Sequence, residues 1–585
     1  MNVLDHLRAL FADALRPLTE RPEDYALHVR PAQDPKFGDY QANCAMPLRK
    51  ELGGNPREIA QKIIDNLPDQ SIFESIEIAG PGFINLCLTS DALVGELGTL
   101  LGSDSLLPAT SGPAPTMVID YSSPNVAKPM HVGHLRSTII GDALARIHRA
   151  LGWNVISDNH LGDWGTQFGM LIHGWRHYRD DAKAKENPLA ELARLYRHVN
   201  ELGENDPVVA RAARDETVKL HEGDEENLAL WKEFMPWCLE DLHRIYDRLD
   251  IRFDHELGES FYQPMLAETA KSLEEKQMAT PSDGALCVFF PDPSGKTDDD
   301  DNVIQRFAPM IVRKADGAFT YATTDLASIR YRVEEFQPDV IVYVVDDRQS
   351  LHFQQLFEVA EKWGYTDVQF EHVAFGKITG KDGKPYKTRQ GGTVGLEMLL
   401  DEGITRAKAS VDEISPDLSE EERQQVAEVV GIGAIKYADL SQNRISDYIF
   451  DWDKMISLNG NTATYLQYVY ARNRSIFRRG EIDPATFFAT LPEIVLDHPS
   501  ERALALILLQ FPESLQQAAG DFKPNMLTTY LFDLANAYNG FFRDCPVLKA
   551  PSESLRASRL ALCELTARTI RTGLDLLGIK TVERM

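Results

Sequence analysis

The run Thr116-Met-Val-Ile-Asp-Tyr121, a polar loop, and then Leu135, Ile139, Ala143, Ile147 and Leu151 at helical spacing constrain this chain more than any other stretch. A buried strand passing through a loop into a helix that stops at Gly152 is the opening unit of a doubly wound parallel sheet, whose ligand lies at the strand C-termini. The loop reads Ser122-Ser-Pro-Asn-Val-Ala-Lys-Pro-Met-His-Val-Gly-His134. His131 and His134 therefore stand at a helix N-terminus. There unpaired backbone N–H groups and the helix dipole attract phosphate, and two imidazoles can donate hydrogen bonds as charge builds. Gly133 leaves room for a nucleotide.

A His-x-x-His pair alone is equally a metal pair or an ordinary turn. No Cys or third His lies nearby at ligand spacing, so no structural zinc is expected, and the strand-loop-helix setting is the one a phosphate site requires. The segment resembles the His-Ile-Gly-His signature of class I aminoacyl-tRNA synthetases, with Val132 in place of Ile. Ser-Pro-Asn-Val-Ala-Lys before it and Asn159-His-Leu-Gly-Asp-Trp-Gly-Thr-Gln-Phe-Gly169 after it narrow the resemblance to arginyl-tRNA synthetases. Such an enzyme activates L-arginine with ATP and magnesium to arginyl-adenylate, then transfers it to the 3′ end of the arginine tRNA. Two alternatives are a class I synthetase of other amino-acid specificity, which needs no carboxylate at Asp325, and a non-catalytic tRNA-binding relative.

A chain of 585 residues exceeds one core, so a multidomain α/β protein is expected. With 43% hydrophobic and 26% charged residues and no apolar run long enough to span a bilayer, no membrane role is indicated. The opening Met-Asn-Val-Leu-Asp-His-Leu-Arg lacks a secretory pattern, so a cytoplasmic protein is expected, and nothing calls for more than a monomer. Six scattered cysteines without a Cys-x-x-Cys pair suit reduced thiols, neither disulfide nor zinc. A formal net charge of -28 argues against indiscriminate nucleic-acid binding; an RNA partner must meet local basic patches.

The linker Leu107-Pro-Ala-Thr-Ser-Gly-Pro-Ala-Pro115 ends a small α+β N-terminal domain, residues 1–110. Residues 116–395 read as a Rossmann-type parallel-sheet catalytic core, with Val340–Val345 as an inner strand and a helical, charged insertion over about 170–300. The tetrad Asp298–Asp301 reads as a solvated loop, so no metal site is expected. A helical connecting region over 396–455 and an all-α bundle over 456–585 follow, the latter with amphipathic segments Thr464–Arg479 and Ser554–Leu577.

A guanidinium carries five donors in a fixed plane, so a selective pocket wants carboxylates, carbonyl oxygens and an aromatic wall. Tyr321 and Asp325 lie one helical turn apart after a hairpin at Asp316-Gly317, and Gln349 follows the inner strand. Singly these residues are unremarkable. The resemblance implies that Asp325 pairs with the guanidinium, that Tyr321 and Gln349 shape and bond the side chain, and that Asp120 and Asn125 hold the α-amino end and carboxylate.

The Lys-Met-Ser-Lys-Ser loop usual in class I synthetases is missing, as it is from many arginyl-tRNA synthetases. At the matching place stands the basic stretch Gly376–Gly392, from which Lys377, Lys384 and Lys387 join His131, Gly133 and His134 as candidate ATP ligands. Lys128, with His131 and His134, is the first choice for catalysis in place of the lost lysine. The missing signature also motivates the expectation that tRNA must bind before adenylate forms. For the RNA, Asn459–Arg479 interleaves aromatics with arginines, a mixture that suits splayed bases and phosphates but equally a helix core; the resemblance makes this segment the opening of the family's helical anticodon-binding domain and implies Tyr465, Arg472 and Arg474 as contacts. The resemblance makes the N-terminal domain an elbow-contacting module in which Phe83 and Asn85 grip a D-loop base.

Overall fold

Short runs rich in β-branched and apolar residues form β1 (Thr116–Asp120), β2 (Asn154–Asp158) and β3 (Val340–Tyr343), and the more polar β4 (Gln369–His372) joins them in a parallel sheet. Their order in the sheet is β4-β3-β1-β2. The strand order reverses between β1 and β3, the switch point at which doubly wound sheets bind ligands. Register aligns Tyr343 with Asp120 and Asp120 with Asp158, so three polar side chains end neighbouring strands in a row. The helix Val132–Ala150 joins β1 to β2, with Leu135, Ile139, Ala143 and Ile147 buried as their spacing predicts. Gly152 closes it at φ +86°. Gly141 permits the close approach to Tyr121, whose ring a Cβ there would meet at 2.2 Å.

This computed structural model describes residues 3–32, 34–107, 112–296, 303–380 and 395–585. The parallel sheet belongs to a unit of residues 112–410 and 430–456. Helices Thr166–His177, Pro188–Asn205, Pro207–Glu222 and Glu225–Leu249 make the insertion helical. Asn187 and Asp206 cap two of them just ahead of prolines, whose fixed φ suits a first turn. Beyond Glu275 the chain turns to strands: Ala279–Ser282, Ala285–Val288 and Met310–Arg313 pair antiparallel. Four-residue strands are too short for a clear alternation, and partners far along the chain decide them. The Asp298–Asp301 tetrad lies outside the described residues.

The second unit joins residues 1–111, 411–429 and 457–585. Its antiparallel sheet orders Val29–Pro31, Tyr40–Ala42, Phe83–Leu88 and Phe73–Ala79. Helices Ala463–Arg479, Pro499–Leu509, Phe511–Gly520, Pro524–Asp544 and Glu553–Leu576 form its bundle. Arg502 of the bundle forks onto buried Asp39 at 2.9 and 2.7 Å, and the Tyr40 hydroxyl donates to Glu513 at 2.9 Å. Burial pushes the Glu513 carboxyl up to about 7. Removing one partner of a largely buried ion pair costs about 3 kcal/mol or more, so the Asp39–Arg502 pair holds the first and last segments together. Among the described residues no helix is long and apolar enough to cross a membrane.

Candidate active site

His131 is the extended N-cap of the helix Val132–Ala150. Its Nδ1 accepts from the Gly133 N–H at 3.0 Å, and the Nδ1 of His134 accepts from the His131 N–H at 3.1 Å. The two rings thus form a capping box, stacked with centroids 3.9 Å apart. The His131 and Gly133 backbone N–H groups are thus taken by these rings. Each Nδ1 accepts, so each neutral ring carries its proton on Nε2, the atom left to face a ligand. Burial, reinforced by the Lys128 charge, holds His131 below its ordinary range; burial, His131 and Lys128 lower His134 to about 4. Both are neutral donors at neutral pH. A Cβ on Gly133 would meet the His131 ring at 2.8 Å.

Lys128 is half-buried, its ammonium 5.2 Å from the centre of the Tyr196 ring. Lys377 is exposed, its N–H donating to Asp447 at 2.6 Å. Lys384 and Lys387 lie outside the described residues.

After β1 the backbone enters a left-handed turn at two consecutive non-glycine residues, Ser122 (φ +74°) and Ser123 (φ +47°). Each such residue costs on the order of 1 kcal/mol. Asp120 is buried, accepting from Ser123 Oγ at 2.9 Å and from Arg332 Nη2 at 2.7 Å. Arg332 also reaches Asp158 at 2.7 Å, tying three elements at the C-terminal edge of the sheet. The Asp120 carboxylate is therefore engaged within the protein on both oxygens. Asn125 is exposed, its Oδ1 accepting from Gln167 at 3.3 Å. Gly162 makes space for it: a Cβ there would sit 2.7 Å from that oxygen.

The helix Tyr321–Phe336 carries Arg332 and, at its start, Tyr321 and Asp325. Tyr321 is 68% exposed. His352 places Nε2 2.5 Å from Asp325 Oδ2 and its ring 5.0 Å from that of Tyr321, edge to face. Gln349 is exposed at the end of the turn Asp347–Gln349 after β3. The sequence reading missed Glu259 and His352. Burial raises the Glu259 carboxyl above its ordinary range, Asp163 and Asp325 raise it further, and His160 opposes them. Glu259 thus stands close enough to Asp325 to feel its charge. Neither Glu259 nor His352 carries a local motif; only folding sets them beside Asp325.

In the other unit, Phe83 and Asn85 share one face of their strand, and Gln41 of the neighbouring strand donates to Asn85 at 2.8 Å. The Tyr465 hydroxyl is held by Asn536 at 3.1 Å and Asn539 at 2.6 Å. Arg472 is half-buried over the Tyr468 and Phe542 rings and donates to Asn539. Arg474 instead pairs with Glu564 at 2.7 Å and is largely buried, while Arg478 and Arg479 of the same helix are exposed.

Among the described residues no three His, Cys, Asp or Glu side chains form a group able to hold a metal ion. Three family profiles cover the chain. "Arginyl tRNA synthetase N terminal domain" matches residues 5–88, "tRNA synthetases class I (R), catalytic domain" 96–452, and "DALR anticodon binding domain" 466–585. An arginine–tRNA ligase of Rhodopirellula baltica is 44% identical over 686 aligned positions spanning all of both chains, and one of Haemophilus influenzae is 46% identical over 95% of each. Among solved structures, the Thermus thermophilus arginyl-tRNA synthetase superposes with a TM-score of 0.82 at 26% identity over all of both chains. The Plasmodium falciparum enzyme gives 0.81 at 29%, over 100% of this chain and 99% of its own. Sequence and fold agree from end to end, and the chain belongs to the arginyl-tRNA synthetase family.

Proposed function

We propose that this chain is an arginine–tRNA ligase: it converts L-arginine and ATP to arginyl-adenylate and pyrophosphate, then transfers the arginyl group to the 3′ end of the arginine tRNA, releasing AMP. The observation that supports this most is the presence, within one unit, of two neutral imidazole donors and of Asp325 held by His352, with Glu259 within reach of its charge.

In this reading Asp325, oriented by His352, pairs with the guanidinium. Glu259 gives the second carboxylate, Tyr321 the aromatic wall, and Gln349 a further polar contact. Asn125 takes the α-carboxylate end, and Asp120, anchored by Arg332, shapes the α-amino end. The arginine carboxylate then attacks the α-phosphorus of ATP while pyrophosphate departs. Alignment and donors aimed at the transferring phosphoryl do most of this work. The Nε2–H groups of His131 and His134 supply such donors, Gly133 keeps them apart from the sugar, and Lys128 adds the positive charge that the absent loop signature lacks. Lys377, Lys384 and Lys387 are proposed to close over the phosphates. Magnesium, entering with ATP, would neutralise phosphate charge. A neutral side chain leaves buried carboxylates unpaired, so citrulline should be rejected by about a thousandfold or more without editing.

We assign tRNA contact to Phe83 and Asn85 in the N-terminal module and to Tyr465 and Arg472 in the bundle. Arg474, spent on Glu564, is proposed to brace its helix instead. Adenylate formation is proposed to wait for tRNA, in a cytoplasmic monomer. Aminoacylation of bulk tRNA with each of twenty amino acids tests the main reading: arginine alone should be charged, and charging of another amino acid, or of none, would overturn it. ATP–pyrophosphate exchange at full rate without tRNA would overturn the tRNA requirement.

A further inference from the structure

We propose that Tyr246, on the insertion helix Glu225–Leu249, is a positioning residue whose hydroxyl pins the Ser122–Ser123 turn and thereby sets Asp120 and Asn125 against the His131–His134 helix start. The proposal rests on the ligase reading above. Two consecutive serines in the left-handed region persist only where their surroundings over-determine them. Here the surroundings are a directed chain of hydrogen bonds. Asn159 Nδ2 donates to the Tyr246 hydroxyl at 3.1 Å, and that hydroxyl lies 2.8 Å from Ser122 Oγ. Ser122 Oγ lies 2.8 Å from Thr138 Oγ1, which donates to the His134 carbonyl at 2.7 Å.

Each hydroxyl has one proton, and Thr138 spends its own on His134. Ser122 must therefore donate to Thr138 and Tyr246 to Ser122, so that the chain runs in one direction from Asn159 to His134. Asn159 closes the grip by accepting from the Ser123 N–H at 3.0 Å. Tyr246 is 2% exposed, and its ring lies 5.1 Å from Phe253, which itself lies 4.6 Å from Tyr121. A buried tyrosine that only filled space would need one polar partner; this one is bonded to both ends of the turn's support.

Y246F keeps the ring and removes the hydroxyl. In arginylation assays with saturating tRNA its KM for arginine should rise about tenfold, with kcat within about threefold of the parent and little change in melting temperature. Glycine adopts positive φ without strain, so S122G in the Y246F background should return the KM to within about threefold. An unchanged KM in folded Y246F, whatever its stability, overturns the proposal, as does a double variant whose losses simply add. Should Y246F not fold, T138V removes the other hydroxyl on Ser122; a raised arginine KM supports the pinned turn and an unchanged one rejects it. A parent protein that charges no arginine would instead refute the ligase reading, which keeps the two failures distinct.

Discussion

At the end of the site proposed for the nucleotide, His131 and His134 cap one another within a single turn; at the end proposed for arginine, Glu259, Asp325 and His352 come from three segments separated along the chain. The first is self-contained. Its geometry follows from a loop, a helix start and a glycine, and its imidazoles are neutral because they are buried beside a lysine. The second depends on tertiary packing, in which Arg332 fastens the helix bearing Asp325 to the ends of β1 and β2. In the proposed reading, then, a local motif carries the phosphate chemistry, whereas selectivity for a side chain is a property of the assembled frame.

The largest effect should separate the two ends outright. D325A should lower kcat/KM for arginine about a thousandfold while the calorimetric affinity for ATP stays within about twofold; an equal loss of ATP affinity would show that the ends are one cooperative unit. H134A should lower kcat about a hundredfold with the arginine KM nearly unchanged, as expected for a donor used in the transition state. G133A, whose methyl would press on the His131 ring, should raise the KM for ATP about tenfold and leave that for arginine alone.

The smallest effect is one of pH. The Glu259 carboxyl is raised above its ordinary range, chiefly by burial, so it takes up its proton at a higher pH than a free glutamate and, in the proposed reading, then loses the charge offered to the guanidinium. The arginine KM should therefore rise as pH falls through that raised value and recover above it, and E259Q should raise it severalfold at neutral pH and flatten the dependence. His134, at about 4, adds no such limb near neutrality. Arginine KM measured from about pH 5.5 to about pH 8 checks both statements; an identical slope in E259Q would remove Glu259 from the pocket.

Much of the scaffold was legible because it depends on spacing. Helix Val132–Ala150 follows its apolar positions to within a turn, and Thr464–Arg479 and Ser554–Leu577 correspond to helices Ala463–Arg479 and Glu553–Leu576. The hairpin at Asp316-Gly317 shows in the positive φ of Gly317. The antiparallel strands from Ala279 to Arg313 did not announce themselves, since each is only four residues long. Nor did the tie between Asp39 and Arg502, whose residues lie 463 positions apart. The arginine at 474 shows what composition leaves out: its charge suggests RNA, and the fold pairs it with Glu564 as well.

The chain's own pattern was enough to specify the strand, the loop, the helix start and the paired imidazoles, because these are set by period, capping and backbone freedom over a few residues. Only the tertiary structure decided that His352 meets Asp325 and that Glu259 comes within reach of its charge, that Arg332 bridges Asp120 and Asp158, and that Tyr246 reaches Ser122. Such contacts carry no periodic signal. They arise where packing removes water and leaves buried polar groups with no other partner than one another.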